Sequence, residues 1–393
     1  MGTALSETCL ALTNGRLVLP GEIVPNKALV VQGEKIAAIV DTTALGPDIP
    51  QIDVGGRYIT PGLIDIHIHG ALGHTFNEPT PQAFSTIVEE NLRHGVTSLL
   101  ATIATAPIPE LVECLSFSRT WLQQQHPGAQ VLGVHLEGPY FSPAQKGAQD
   151  PQNLRTPDDG SAEILLAFHD VLKIMTFAPE LPGGLELTAR LNELGIVPAA
   201  GHSSARDEHV RAAMQRGLRH VVHLWSAQST TVREGPWRRP GLLEASLTFD
   251  GLTAEMIADN RHLPPTLMRL AYKCLGPDRL CIISDATSGA GLPEGSRFFM
   301  GHMEYEVRDG VGMLLDGSAF AGSTTLLNRM IPILTELVGI PLAEVIRMMT
   351  LTPARVIGMA AQKGSLEPGK DADIAIFNDD FTVWRTMIRG RWT

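Results

Sequence analysis

Asp65-Ile66-His67-Ile68-His69-Gly70 is the stretch whose reading decides the fold. Its two histidines stand two residues apart at the end of an apolar run, so on a strand both imidazoles project from one side. Outward from it the same layout returns, an apolar strand followed by a polar loop and an amphipathic helix. The candidate strands are Gly62 to His67, Ser98 to Ala101, Val131 to Leu136, Val171 to Phe177, Val197 to Gly201, His220 to Leu224, Thr253 to Ala258 and Leu280 to Ser284. Helices such as Pro81 to His94, Leu185 to Leu194 and Asp207 to Arg216 lie between them. This alternation predicts an α/β fold, a parallel (β/α)8 barrel that gathers its chemistry at the C-terminal ends of its strands.

Those ends carry ligand-type residues. Glu137 closes Gly133-Val134-His135-Leu136, His202 follows Ala199-Ala200-Gly201, His223 follows His220-Val221-Val222, and Asp285 follows Ile282-Ile283-Ser284. A single histidine at a strand end is more often a hydrogen-bonded structural group, and an HxH pair arises readily by chance. Five strand ends converging on one barrel mouth are much harder to obtain by accident, and such a donor set suits Zn²⁺, Fe²⁺ or a similar divalent ion. His67, His69, Glu137, His202 and His223 are therefore the candidate metal ligands. His262, in Asp259-Asn260-Arg261-His262 after the seventh strand, reads either as a donor to a substrate oxygen or as a loop histidine. His135 and His220 are core groups or partners of a ligand. His74, His94, His126, His169, His209 and His302 are expected in solvent.

The two ends of the chain follow another rhythm. Arg16 to Leu19, Ala28 to Gln32 and Lys35 to Val40 read as short strands with tight turns, and Asp373 to Phe377 and Val383 to Ile388 alternate likewise. Neither end can bury a face alone, so one β-sandwich shared by both termini is expected. The boundaries are 1–57 for its N-terminal part, 58–356 for the barrel and 357–393 for its C-terminal part. Gly235 to Gly241 and Gly289 to Gly295 read as loops over the mouth.

Bulk properties exclude several classes. A net charge of −11 over 393 residues argues against a nucleic-acid scaffold, while a few local arginines still allow an anionic small substrate. Cys9, Cys114, Cys274 and Cys281 are too dispersed for a zinc knuckle or a disulfide framework and read as buried thiols of a reducing compartment. No apolar run reaches the ~18 residues of a membrane span. The first residues lack a signal-peptide layout, and Met1 to Ser6 formally fits a myristoylation pattern of the short kind that chance supplies. The expected location is the cytoplasm.

Longer motifs then point to a family. The chain resembles the N-acetylglucosamine-6-phosphate deacetylases of the amidohydrolase superfamily in Pro61 to Gly70, His135-Leu136-Glu137-Gly138-Pro139-Tyr140-Phe141, Ala200-Gly201-His202-Ser203, Ser284-Asp285-Ala286 and Ala321-Gly322-Ser323-Thr324. Thr352-Pro353-Ala354-Arg355 and the closing Gly364 to Ile374 belong to the same resemblance. It implies that Glu137, His202 and His223 hold one divalent metal, Zn²⁺ first and Fe²⁺ next, and that His67 and His69 frame a second position. It further implies Asp285 as general acid/base, His262 as the group that polarises the scissile carbonyl, a substrate shell of Gly138, Gln149, Ser226, Ala227, Arg238 and His262, an N-acetyl amino sugar phosphate as substrate, and a homodimer. This sequence departs from the family in that shell. Phe-Asn-Ala-Met is Trp225-Ser226-Ala227-Gln228, Lys-Gly-Ala-His is Lys146-Gly147-Ala148-Gln149, and Arg-Glu-Pro-Gly, whose Arg reaches a neighbouring subunit's phosphate, is Arg238-Arg239-Pro240-Gly241. Arg238, Arg239 and Arg261 form either an anion clamp or a solvated basic loop. N-acetylgalactosamine-6-phosphate, another N-acyl amine and a cyclic amide stay open as substrates, the last weakened because only Lys173 is offered on the fourth strand. A non-catalytic binding protein is disfavoured by the retained ligands and Asp285.

Overall fold

The structure is a computed structural model that describes residues 9–300 and 303–393; the Met1 to Ser6 pattern and His302 lie outside the described residues. Eight parallel strands form the central sheet: β1 (Leu63–Ile68), β2 (Val96–Ala104), β3 (Gln130–Glu137), β4 (Leu172–Phe177), β5 (Val197–Ala200), β6 (His220–Val221), β7 (Thr253–Ile257) and β8 (Leu280–Ile283), paired in that order. The two edge strands meet where Asp285 N–H donates to the His67 carbonyl at 2.9 Å, so the sheet nearly closes into a barrel. All nine residues of β2 are buried, as expected of a parallel strand covered on both faces.

The helices around it form for readable reasons. Residues Pro81–Arg93 start at Thr80, whose Oγ1 accepts the Ala83 N–H, with Pro81 at the first helical position. Ala83, Phe84, Ile87, Val88 and Leu92 recur at three- and four-residue spacing and are buried against the barrel. At this level the expected elements hold within a residue or two, except that β2 runs three residues past the expected Ala101 to Ala104, and that β6 pairs only at His220 and Val221 before the chain bends toward His223.

The termini build the second unit jointly. A six-stranded sheet places Ile374–Phe377 antiparallel to Tyr58–Pro61 and parallel-paired Arg16–Val18 beyond it, and a four-stranded sheet carries Lys35–Asp41, Lys27–Gln32, Cys9–Thr13 and Gln51–Asp53. Leu12, Leu29 and Ile36 from one sheet pack on Ile59, Ile374 and Ile376 from the other. Neither end could bury these residues without its distant partner.

Two segments over the mouth differ from the sequence expectation. Residues 235–241 are not simple loop: Val232–Glu234 and Trp237–Arg239 pair as an antiparallel hairpin whose six strand residues are all exposed. Arg297–Met300, Met303–Arg308, Val311–Leu314 and Phe320–Ser323 form a four-stranded antiparallel sheet around Phe298, Tyr305 and Val307, and no strand was expected there. Four of the histidines expected in solvent have partners: His126 stacks on Trp121, His94 bonds Asn328, His74 bonds Glu78 and His209 Nδ1 accepts the Arg206 N–H. Cys114 and Cys281 are buried as expected, whereas Cys9 and Cys274 are only half-buried; all four thiols are free. Among the described residues no helix is long and apolar enough to cross a membrane.

Candidate metal and catalytic centre

Strand geometry delivers the centre. His67 lies in β1 and His69 just past it, Glu137 ends β3, and His202, His223 and Asp285 follow β5, β6 and β8, so side chains far apart in sequence meet over one barrel end. Glu137 is the hub. Its Oε1 lies 3.0 Å from His223 Nε2 and 3.1 Å from His202 Nε2. His67 Nε2 stands 3.5 Å from the same oxygen, and His69 Nε2 is 3.4 Å from Oε2. Asp285 Oδ1 faces both β1 histidines, at 3.4 Å from His69 Nε2 and 3.6 Å from His67 Nε2. All six residues are buried.

The backbone is bent to make this possible. His202, Trp225, Ala227 and Asp285 all have positive φ, between 47° and 69°, which non-glycine residues seldom adopt. Such conformations persist where surrounding structure over-determines them, and three of the four, His202, Ala227 and Asp285, line one cavity. Gly322 answers the same crowding. It sits at φ +64° with the Asp285 carbonyl 2.5 Å from where a Cβ would stand, so only glycine lets this chain pass.

Behind the centre lies a residue that sequence reasoning did not single out. Glu255, fully buried on β7, faces His67 Nδ1 at 2.7 Å and His220 Nε2 at 3.1 Å. Burial pushes its carboxyl up, but the neighbouring His67 and His220 reverse the balance and hold it below the usual carboxylate range. The signal was a single acid inside the apolar run Thr253-Ala254-Glu255-Met256-Ile257. With Nδ1 donating to Glu255, Nε2 is the His67 ring nitrogen left facing the centre. That buried Nε2 has no hydrogen-bond partner in the protein. An orphaned imidazole nitrogen, set among carboxylates and three further histidines, is what a divalent cation completes.

Protonation follows the same geometry. Burial opposes ionisation of Glu137, yet His202, His223 and His67 hold its pKa well below normal; Asp285 is likewise lowered against burial by His69, His67 and His223. Asp65 goes the other way: burial raises it to about 7, outweighing the Ser284 side chain, the backbone N–H groups of His67 and Ser284 and the His67 charge. His135 bonds the Ile66 carbonyl and Thr176, and burial drops its pKa to about 3, so it is a neutral core group beside His67.

The cavity above the centre has a volume of about 210 Å³. Of the substrate-shell residues inferred from sequence, Gln149, Ser226, Ala227 and His262 line it, along with Met300 and Phe320 from the inserted sheet. Gly138 and Arg238 do not. Gly138 sits behind the wall with its N–H on the Thr176 carbonyl, and Arg238 belongs to the exposed hairpin. Arg239 pairs with Glu234, and Arg261 donates to the Asp309 carbonyl. Lys173, at the start of β4, also stands outside the cavity lining. His262 is held by Asp259, the second residue the sequence reading passed over. Asp259 Oδ2 faces His262 Nδ1 and accepts the Ser323 hydroxyl, both at 2.8 Å. This fixes the ring orientation, with Nδ1 donating to the carboxylate and Nε2 left facing the cavity.

The geometry is matched by relatedness. Residues 58–393 fit the model of the amidohydrolase family and residues 10–59 that of the NagA composite domain. The chain is similar to an N-acetylglucosamine-6-phosphate deacetylase of Haemophilus influenzae, 34% identical over 97% of this chain and 98% of the relative. It is also similar to an N-acetylgalactosamine-6-phosphate deacetylase of Escherichia coli O157:H7, 33% identical over 85% of this chain and 87% of the relative. Among solved structures, the N-acetylglucosamine-6-phosphate deacetylase of Pasteurella multocida superposes with a TM-score of 0.92 at 31% identity, covering 98% of this chain and 99% of that one.

Proposed function

We propose, from the premise that this chain belongs to the amidohydrolase family and within it to the N-acetylglucosamine-6-phosphate deacetylases, that it removes the acetyl group from N-acetylglucosamine-6-phosphate, giving glucosamine-6-phosphate and acetate. The observation that carries this reading is the meeting of His202 and His223 on one oxygen of Glu137, with Asp285 and His262 on the wall of the same cavity.

Glu137, His202 and His223 would hold one divalent ion, Zn²⁺ by the chemistry of the donors, and His67, His69 and Asp285 flank a second position. When bound, such an ion brings the pKa of a water toward neutrality and polarises a carbonyl. Asp285, kept ionised by its histidine neighbours, takes the proton of the attacking water. His262, carrying a proton on each ring nitrogen with the Asp259 carboxylate balancing the charge at Nδ1, donates its Nε2–H to the acetamide oxygen as charge builds there. Asp285 then returns the proton to the departing amine, which leaves only when protonated.

The cavity wall contains no lysine or arginine among the described residues, so the 6-phosphate is met by neutral donors of this chain and, in a homodimer, by Arg238 of a neighbouring copy. The exposed hairpin that carries Arg238 supports that role. Four free cysteines suit a cytoplasmic location. N-acetylgalactosamine-6-phosphate is the second reading, favoured by the 33% identity to a deacetylase of that name. A screen of N-acetyl amino sugars with and without 6-phosphate, on metal-supplemented protein and scoring acetate, tests the assignment. Release confined to the 6-phosphates supports it, and equal turnover of unphosphorylated sugars points to a neutral N-acyl substrate.

A further inference from the structure

Glu137 divides its two oxygens between different neighbours. Oε1 serves His202 and His223, whereas Oε2 accepts the Gln149 side-chain amide at 2.8 Å and looks toward His69 Nε2 at 3.4 Å. His69 lies on the Oε2 side with Asp285 Oδ1 3.4 Å from its Nε2, while His67, the third residue of that second position, reaches Glu137 on Oε1 at 3.5 Å. We propose that Gln149 sets how many ions the centre holds tightly, by occupying the Glu137 oxygen that a second ion would share. The inference rests on the reading of Glu137 as an ion ligand.

The physics is competition for one acceptor. Two dications about 3.5–4 Å apart repel unless an anion stands between them, and Glu137 Oε2 is the carboxylate oxygen placed for that. Gln149 is buried, 5% exposed, and its amide already fills that oxygen. Turning Oε2 to a second ion strips a buried N–H of its acceptor, a loss equivalent to about a five- to hundredfold weaker second affinity. The amide cannot simply swing away, because its turn is pinned from two sides. Gly147, at φ +58°, lets the chain pass so close to His202 that a Cβ there would stand 3.1 Å from Cε1. From above, the buried Tyr305 donates its hydroxyl to the Ala148 carbonyl at 2.8 Å. Gln149 is thus a positioning residue, acting through Glu137.

The test uses full-length protein stripped with a chelator and titrated with Mn²⁺, followed by calorimetry and electron paramagnetic resonance. The wild type is expected to bind one Mn²⁺ tightly with an uncoupled spectrum, and a second at least about fivefold more weakly. Gln149→Leu, close in volume but without a donor, should strengthen the second ion about five- to hundredfold, leave the first unchanged and give a spin-coupled spectrum at two equivalents. An unchanged ratio of the two affinities in Gln149→Leu overturns the proposal. Equal affinity for two ions in the wild type also overturns it, and needs no variant to fold. Binding of no ion at all removes the metal-centre reading itself, so the two failures are told apart.

Discussion

Asp259→Asn isolates the orientation of His262 from ion binding. Asp259 Oδ1 accepts the backbone N–H groups of Arg261 at 2.8 Å and His262 at 2.9 Å, while Oδ2 faces His262 Nδ1 and the Ser323 hydroxyl, both at 2.8 Å. An asparagine has one oxygen for these two jobs. With its oxygen toward the backbone, its NH2 meets His262 Nδ1, so the ring either gives up that proton and becomes a neutral, weaker Nε2–H donor, or turns away. With its oxygen toward the ring, its NH2 opposes two backbone donors. The first arrangement loses the ionic anchor and the second leaves buried N–H groups unsatisfied, at about 1–3 kcal/mol. If His262 donates to the carbonyl oxygen, a lost or misaligned donor costs about 10²- to 10³-fold in kcat, or roughly 2.7–4 kcal/mol. Steady-state acetate release together with metal content decides the matter. The expected outcome is kcat lowered by that factor with metal content intact. A kcat near wild type, or a loss that tracks missing metal, refutes the reasoning.

Three further outcomes follow from the same geometry. Asp285→Asn should bind its ion but turn over about 10²- to 10⁴-fold more slowly, since it can no longer accept a proton; near-normal kcat dismisses it as the proton carrier. Glu255→Leu leaves the rings of His67 and His220 without their buried acceptor and should lower the unfolding free energy by roughly 3–5 kcal/mol in urea titrations, whereas a loss within error shows that the carboxylate is not needed. Burial holds His135 down at about 3, against about 6.5 for an ordinary histidine, so between these values the unfolded chain binds a proton that the folded one refuses. Stability contributed by neutral His135 is therefore complete above about pH 6.5 and drains away as pH falls, by up to about 1.4 kcal/mol per pH unit. His135→Asn should flatten the stability profile between pH 6 and pH 4, and an unchanged slope speaks against a neutral, unresponsive ring.

What was legible in sequence was whatever leaves a local trace. Strand ends in parallel barrels carry their chemistry in short motifs, so His67, His69, Glu137, His202, His223 and Asp285 could be named before they were seen to meet. Glu255 and Asp259 were harder because their meaning lies in partners. Glu255 acquires its role from His67, 188 positions away, and its local signal is one acid in a strand of apolar residues. Asp259 stood beside His262 in the quoted motif, but only the turn shows that it holds the ring. The sheet at 297–323 escaped because Arg297, Glu304, Glu306 and Arg308 interrupt its short strands, which bury one small core of their own and read like loop. The hairpin at 232–239 escaped for the same reason, since it has no buried face at all.

The account stands on a cation bound where Glu137, His202 and His223 converge. Crystals of the zinc-loaded protein, measured at the zinc absorption edge, test this most directly. The predicted result is an anomalous peak about 2.0–2.2 Å from Glu137 Oε1, His202 Nε2 and His223 Nε2. An edge scan with zinc present and no peak among these three side chains would contradict it.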